Sequence, residues 1–151
     1  MRKRLIPLVA VLALGSLGGG IAAELKPEDV VEYRQSMMLG LAWNIGGIGA
    51  MVKGVTPWDQ QRVAFLANRA AQLASMPREG FTPETAKAKS NAKPELWDNL
   101  KDFDERNDAM VTATAKLAEA AKGGDEAATK AAFMDTIKTC KGCHDKYQVK
   151  D

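Results

Sequence analysis

Apolar residues recur at steps of three and four along most of the chain, a spacing typical of amphipathic helices. Four such segments can be distinguished, separated by proline and glycine, and no period-two alternation typical of strands is found. They predict an all-α fold, an antiparallel four-helix bundle in which residues 77–93 form one long, irregular surface connection. The four predicted helices extend over residues 27–53, 56–76, 94–123 and 125–147.

Local signals indicate where these helices begin and which faces they bury. Thr56, followed by Pro57 and by Asp59 three residues on, is the predicted N-cap of the second helix. The third helix is predicted to bury Leu96, Leu100, Phe103, Met110 and Leu117. Glycine is costly inside a helix, so four glycines of the first helix are expected to let a neighbouring helix or a flat ligand come close. They are Gly40, Gly46, Gly47 and Gly49.

The N-terminal stretch has the pattern of an export signal. Three basic residues precede an almost unbroken apolar run over residues 5–17, and small residues follow it. The run is too short to span a bilayer. We therefore expect residues 1–23 to be a secretory signal, cleaved after Ala22 or Ala23, and residues 24–151 to form the bundle domain in the periplasm. An uncleaved N-terminal anchor is the alternative.

Removal of this signal changes the charge of the protein. The whole chain has 21 Lys and Arg against 19 Asp and Glu, a formal net charge of +2. Without the three basic residues of the signal, 18 remain against 19 acidic ones, which gives −1. The lysines are scattered among acids and form no basic stripe. We predict no nucleic-acid partner and, because no second long apolar run follows, no membrane span after cleavage.

The only histidine of the chain directly follows the second of its two cysteines, in a Cys-Lys-Gly-Cys-His sequence over residues 140–144. This C-x-x-C-H pattern is the signature of c-type haem attachment. On a helix, residues three and four apart share a face, so Cys140 lies beside both Cys143 and His144. The sequence therefore predicts one covalent haem c, with Cys140 and Cys143 as thioether residues and His144 as the proximal iron ligand.

Three other sites could be built on two cysteines. A thioredoxin-like dithiol needs a βαβ context, and no strand is predicted. A structural zinc site needs four ligands, and one histidine with two cysteines leaves the set short. A disulfide is favoured by export but does not require the adjacent histidine. No acid–base pair or nucleophile–base arrangement stands out either, so we predict that the protein is not an enzyme.

Four segments, in order and spacing, resemble the class II c-type cytochromes, the cytochrome c′ family with its low-spin members. The resemblance covers the whole mature chain and implies a left-handed bundle that holds the haem between helices, often as a homodimer built on the first two. The segments are residues 27–36 (PEDVVEYRQS), 52–54 followed by Pro57, 93–97 (KPELW) and 140–147 (CKGCHDKY).

The resemblance also implies roles for two residues of the first helix. Arg34 matches an arginine near the haem propionates. Met38 matches the position facing the open side of the iron, which holds an apolar or aromatic blocker in five-coordinate members and a ligating methionine in low-spin members. Gln148 is a departure, because the family usually has Lys or Arg there.

Two functions follow from these roles. The main expectation is a periplasmic electron carrier with redox partner proteins, in which Met38 binds the iron opposite His144. The alternative is a five-coordinate cytochrome that binds nitric oxide or carbon monoxide, with Met38 as a core residue that fills a gap. Met37 would serve as a ligand only if the helix were rotated. The other methionines are expected to be core or loop fillers, namely Met51, Met76, Met110 and Met134.

Overall fold

A computed structural model describes residues 25–150, and the signal expected over residues 1–23 lies outside them. Within the described part, the chain is helical and contains no strand, apart from one isolated antiparallel bridge. Every helix in this part is too short or too polar to span a membrane. The long helices are α1 (Pro27–Val52), α2 (Gln60–Leu73), α5 (Leu100–Gly123) and α6 (Glu126–Tyr147); the short ones are α3 (Met76–Glu79), a 3₁₀-helix (Pro83–Lys87) and α4 (Glu95–Asp98).

The four long helices form the predicted antiparallel bundle. Helix α5 packs against both α2 and α6, and α1 packs against α2, whereas α1 and α6 touch at few places. The short connections between α1 and α2 and between α5 and α6 force each pair to run antiparallel. The α1–α6 side of the bundle is therefore its open side.

Apolar side chains from all four helices form one main core. Ile48 of α1 and Leu117 of α5 are fully buried there, and Phe133 supplies the contribution of α6. At Gly47 a Cβ atom would lie only 2.9 Å from the Cδ1 of Leu66, so the absence of a side chain lets α1 and α2 approach closely. The expectation for this glycine is thus met by a neighbouring helix.

The second helix differs from the prediction at both ends. Its N-cap is Asp59, whose carboxylate accepts a hydrogen bond from the Arg62 backbone amide at 2.9 Å, and Thr56 is exposed. The helix ends at Leu73, and Pro77 lies in the first turn of the separate helix α3. The acid three residues after Thr56 is therefore the cap itself, since its carboxylate reaches the free amide directly.

The third predicted helix is broken at Asn99, whose backbone angles of φ −130° and ψ 39° are not helical. Its side-chain amide donates to the Glu95 carbonyl at 2.8 Å. Because of the break, Leu96 packs in a small second core with Phe103 and Tyr147. Leu100, in contrast, is 37% exposed instead of buried. The prediction for Leu100 was wrong because a single helical period was carried across this break.

The methionines divide between core and surface. Met51 and Met110 are buried, as expected, and Met76 is half-buried. Met134, in contrast, is 49% exposed on α6 and fills neither the core nor a loop. Its neighbour Phe133 takes the buried face of that turn, and Met134, about 100° further round the helix, lies outside that face.

The connection over residues 77–93 is more ordered than predicted. It contains most of α3 and the 3₁₀-helix, both of which pack against α1. Pro77 and Gly80 are buried, and Thr85 is fully so. Sequence periodicity could not reveal this order because the segment is held by hydrogen bonds to a distant side chain, Arg34, described below.

Candidate functional site

A cavity opens on the α1–α6 side of the bundle and is closed at its back by α5. It has two adjoining compartments, an inner one of about 330 Å³ and an outer one of about 390 Å³. Volumes of this size are typical of small-molecule and cofactor sites. Both compartments are bordered by Met38, Ala42, Phe81, Phe103, Cys143 and His144.

The C-x-x-C-H residues lie together on the α6 wall of this cavity. Cys140 borders the inner compartment, and Cys143 and His144 border both. The two cysteines are half-buried and are not joined in a disulfide. Burial raises the pKa of both thiols, an effect that the positive charge of Arg106 opposes at Cys143. The two sulfur atoms thus lie on the same wall as the imidazole.

Arg34 borders the outer compartment from α1 and is only 2% exposed. Its guanidinium donates to the Gly80 carbonyl at 2.7 Å, to the Thr85 hydroxyl at 2.9 Å and to the Ser90 hydroxyl at 3.0 Å. It also lies 4.2 Å above the Phe81 ring. Burial lowers the pKa of Arg34, but a guanidinium stays charged in proteins.

No carboxylate among residues 25–150 forms a salt bridge with Arg34; its three hydrogen-bond partners are uncharged. A buried charge ordinarily requires a counter-charge. The cavity wall therefore offers an unneutralised cation, the arrangement that suits an anionic group of a bound molecule.

Met38 borders both compartments from α1, and Met37 borders neither. Met38 also packs against the main core, near Leu41 and Ile45. Gly46 borders the inner compartment, and a Cβ atom there would meet nothing within 4 Å. The sequence-based choice of Met38 over Met37 as the residue facing the cavity thus agrees with the direction of the two side chains.

Gln148, the departure noted above, follows the last turn of α6 and borders the outer compartment. It is exposed and pairs with Ala92 in the isolated bridge. Its side chain carries no charge. A cation, Arg106 of α5, borders the other, inner compartment.

Several residues of the site were not identified from the sequence. Arg106 is held by Asp102, which also accepts hydrogen bonds from Tyr147 and Lys146, and these bonds hold the pKa of Asp102 well below its usual range. The i,i+4 spacing of Asp102 and Arg106 beside the buried Phe103 was a usable signal. Phe81 gave none, because it lies in the connection that was expected to be irregular.

These features fit a haem. Two thiols and an imidazole share one wall, as thioether attachment and iron ligation require. The space beside Gly46 is free of side chains, and the buried Arg34 cation lacks an anionic partner. The cavity is thus suited to a flat, largely apolar and negatively charged cofactor.

Comparison with known proteins agrees with this conclusion. The model of the family described as Cytochrome C′ matches residues 29–148. The chain belongs to the cytochrome c′ family. Cytochrome c′ of Rubrivivax gelatinosus is 38% identical over 126 residues, which cover 83% of this chain and 98% of that protein.

Solved structures show the same family fold. Cytochrome c prime from Shewanella frigidimarina matches with a TM-score of 0.80 and 39% identity, over 83% of this chain and 98% of that one. A nitric oxide complex of a point variant of cytochrome c prime from Alcaligenes xylosoxidans matches with a TM-score of 0.78 and 35% identity, over the same shares. The predicted family, the four-helix bundle and the single covalent haem c are confirmed, and the protein is a haem c-type cytochrome.

Replacement of Thr85 by Val should destabilise the haem-loaded protein. The fully buried hydroxyl accepts from Arg34 and from the Thr82 backbone amide, and valine keeps its shape but can do neither. We expect the free energy of unfolding, measured by urea denaturation, to fall by about 1–3 kcal/mol. The control is Thr112→Val, at an exposed position of α5, which should change it by less than about 0.5 kcal/mol. Equal effects of the two variants would contradict the anchoring of Arg34 by Thr85.

Proposed function

We propose that this protein is a periplasmic, five-coordinate haem protein that binds a small uncharged gas, nitric oxide or carbon monoxide. The observation that carries the proposal is the nitric oxide complex solved for a relative that is 35% identical and almost fully covered. It favours gas binding over the electron carrier that the sequence led us to expect. The periplasmic location is inferred from the secretory signal expected over residues 1–23.

In this proposal, Cys140 and Cys143 hold the haem through thioether bonds and His144 binds the iron. When bound, the haem iron supplies a sixth coordination position at which a diatomic gas can attach. The supporting observation is that the three side chains meet on one cavity wall. Arg34 neutralises the propionates, which explains why a cation is buried without a carboxylate of its own.

Met38, Leu41 and Ile45 form the α1 wall of the inner compartment. These three side chains are apolar, so an uncharged diatomic molecule can lie against this wall at little desolvation cost. Met38 fills the open side of the site without binding the iron. Its packing against the main core supports this role.

Electron transfer is the second candidate function, and one specific observation favours it. Met38 and His144 border the same two compartments from different helices, as the two axial ligands of one iron would. A thioether and an imidazole together give a low-spin iron with a raised reduction potential, which suits exchange of electrons with a redox partner protein. The spin state of the reduced protein separates the two functions.

Haem attachment can be tested through the two cysteines. In the Cys140→Ser and the Cys143→Ser variants we expect haem held by a single thioether or lost, because each thiol supplies one of the two bonds. Mass spectrometry of the intact purified proteins reports the covalent haem directly. An unmodified wild-type mass with a Cys140–Cys143 disulfide would contradict the assignment.

The spin state and the role of Met38 can be tested together. We expect the reduced wild-type protein to be high-spin by absorption spectroscopy and to bind carbon monoxide at once. Met38→Ala should keep that spectrum and speed carbon monoxide association about tenfold, the effect of removing about 1.4 kcal/mol of steric barrier. Met37→Ala, next to it but outside the cavity, is the control and should change neither.

The opposite result would establish the electron carrier. A low-spin reduced protein that resists carbon monoxide, and that becomes high-spin only in Met38→Ala, would mean that Met38 binds the iron. Gas binding would then no longer be the function of the unmodified protein.

We further infer that two copies of the chain associate through α1 and α2. Large apolar side chains stand exposed on these helices, with Leu39 at 69%, Trp43 at 75% and Phe65 at 49% exposed. Apolar side chains grouped in this way commonly mark an interface. The resemblance to cytochrome c′ proteins, which often form homodimers on these helices, indicates a second copy as the partner.

Trp43→Lys should therefore convert the dimer to a monomer. A lysine at the centre of the interface would place two like charges opposite each other and remove the largest apolar contact. Light scattering coupled to gel filtration measures the mass. The control is Val55→Lys, equally exposed but in the turn after α1, which should leave a dimer intact. A monomeric wild-type protein would overturn the inference.

A further inference from the structure

One carboxylate of α5 contacts three side chains around the C-terminal turn of α6. Asp102 accepts from the Arg106 guanidinium at 2.7 and 3.3 Å, from the Lys146 ammonium at 2.9 Å and from the Tyr147 hydroxyl at 2.5 Å. Lys146 and Tyr147 belong to the turn that follows His144. Hydrogen bonds to a charged acceptor are stronger and better oriented than neutral ones.

Arg106 adds a contact on the other side of His144. While paired with Asp102, its Nη1 atom donates to the Gly142 carbonyl at 3.2 Å, inside the C-x-x-C-H motif. A Cβ atom at position 142 would lie 3.7 Å from that nitrogen, so the guanidinium packs directly on the glycine. The Asp102–Arg106 pair therefore contacts α6 both before and after His144.

Tyr147 fixes the same turn through its ring. It is 3% exposed and meets Phe103 edge-on, with the ring centroids 5.8 Å apart and the planes at 81°. Phe103 and Asp102 are neighbours on α5, so apolar and ionic contacts act on the turn from one helix. The turn after His144 is thus held by buried aromatic packing as well as by ionic hydrogen bonds.

His144 itself is exposed, and its hydrogen bond beyond the helix is a backbone one, in which its carbonyl accepts from the Gln148 amide at 3.0 Å. Metal-binding histidines are usually oriented by a group that accepts from their second ring nitrogen. His144 is exposed, and among residues 25–150 no side chain forms a hydrogen bond with its ring. The direction of the imidazole must then come from the backbone turn that carries it.

We propose that Asp102 and Arg106 are positioning residues for His144: they hold the turn over residues 142–147 so that the imidazole meets the iron at one angle. This inference rests on the proposed role of His144 as the iron ligand. In this proposal neither residue binds the iron. Asp102 acts through Lys146 and Tyr147, and Arg106 acts through Gly142.

The test uses the haem-loaded protein and two variants that keep side-chain size. Asp102→Asn removes the charge, and Arg106→Met keeps the length of the side chain but removes every donor. Hydrogen exchange followed by mass spectrometry should show the amides of residues 143–148 exchanging about tenfold faster in both variants. Resonance Raman spectra of the reduced protein should show a shifted and broadened iron–histidine stretching band, because the imidazole samples more orientations.

The matched control is Asp135→Asn. It breaks an exposed ion pair with Lys138 on the same helix, five residues before the motif, and should change neither measurement. Arg106→Lys is the conservative variant, which restores one cation for Asp102 and should recover part of the wild-type band position. If Asp102→Asn does not fold or does not retain haem, the comparison of Arg106→Met with Arg106→Lys carries the test.

The positioning role is overturned if the folded variants show wild-type exchange over residues 143–148 and an unmoved iron–histidine band. Failure of the proposed function gives a different signature. A low-spin reduced wild-type protein would show no five-coordinate iron–histidine band in any variant. The exchange comparison would then still decide whether Asp102 and Arg106 hold the turn.

Discussion

Arg34 places a full positive charge at a position that is 2% exposed, and much of the structure is arranged to make this burial tolerable. A buried cation needs hydrogen-bond acceptors and, ideally, an anion. The chain supplies acceptors from Gly80, Thr85 and Ser90, which lie within the connection between α2 and α4. These hydrogen bonds hold the connection against α1, where it covers the outer compartment. At Gly80 a Cβ atom would lie 2.6 Å from the Arg34 Cβ, so only glycine allows so close an approach.

The acceptors supplied by the chain are all uncharged, so we propose that the anion comes from the cofactor. The same reasoning applies to volume. Leu41, Ile45 and Met110 belong both to the main core and to the cavity wall, so core and cavity share their side chains. Protein interiors are close-packed, and a cavity of this size within the bundle is costly unless it is filled. In the proposed arrangement, the haem would complete both the charge balance and the packing, as part of the core of the folded protein.

The sequence alone was sufficient for those parts of the molecule that depend on local spacing. The four long helices follow from periods of three and four residues, the cofactor follows from the C-x-x-C-H motif, and the position of Met38 was implied by the family resemblance; the fold, the family and the cofactor are confirmed. Thr56 and Leu100 were misassigned because a capping signal or a period was extended past the point where the backbone changes direction. Met134 was misassigned because Phe133 takes the buried face of its turn. The contacts of Arg34 with Thr85 and of Arg106 with Gly142 join residues 36 or more positions apart. No local pattern encodes such pairs.

The two sides of the site are also joined to each other. The Lys93 amide donates to the Tyr147 carbonyl at 2.8 Å, and the Val149 amide donates to the Asn91 carbonyl at 2.9 Å. These backbone hydrogen bonds join residues 91–93, at the end of the connection between α2 and α4, to the residues that follow His144. Arg34 holds the connection between α2 and α4, and Asp102 of α5 holds the residues after His144. A displacement on the Arg34 side of the cavity would therefore be transmitted to the His144 side, because these backbone hydrogen bonds join the two segments directly. If His144 holds the iron of a bound haem, as proposed, these contacts would restrain the backbone turn that carries its imidazole.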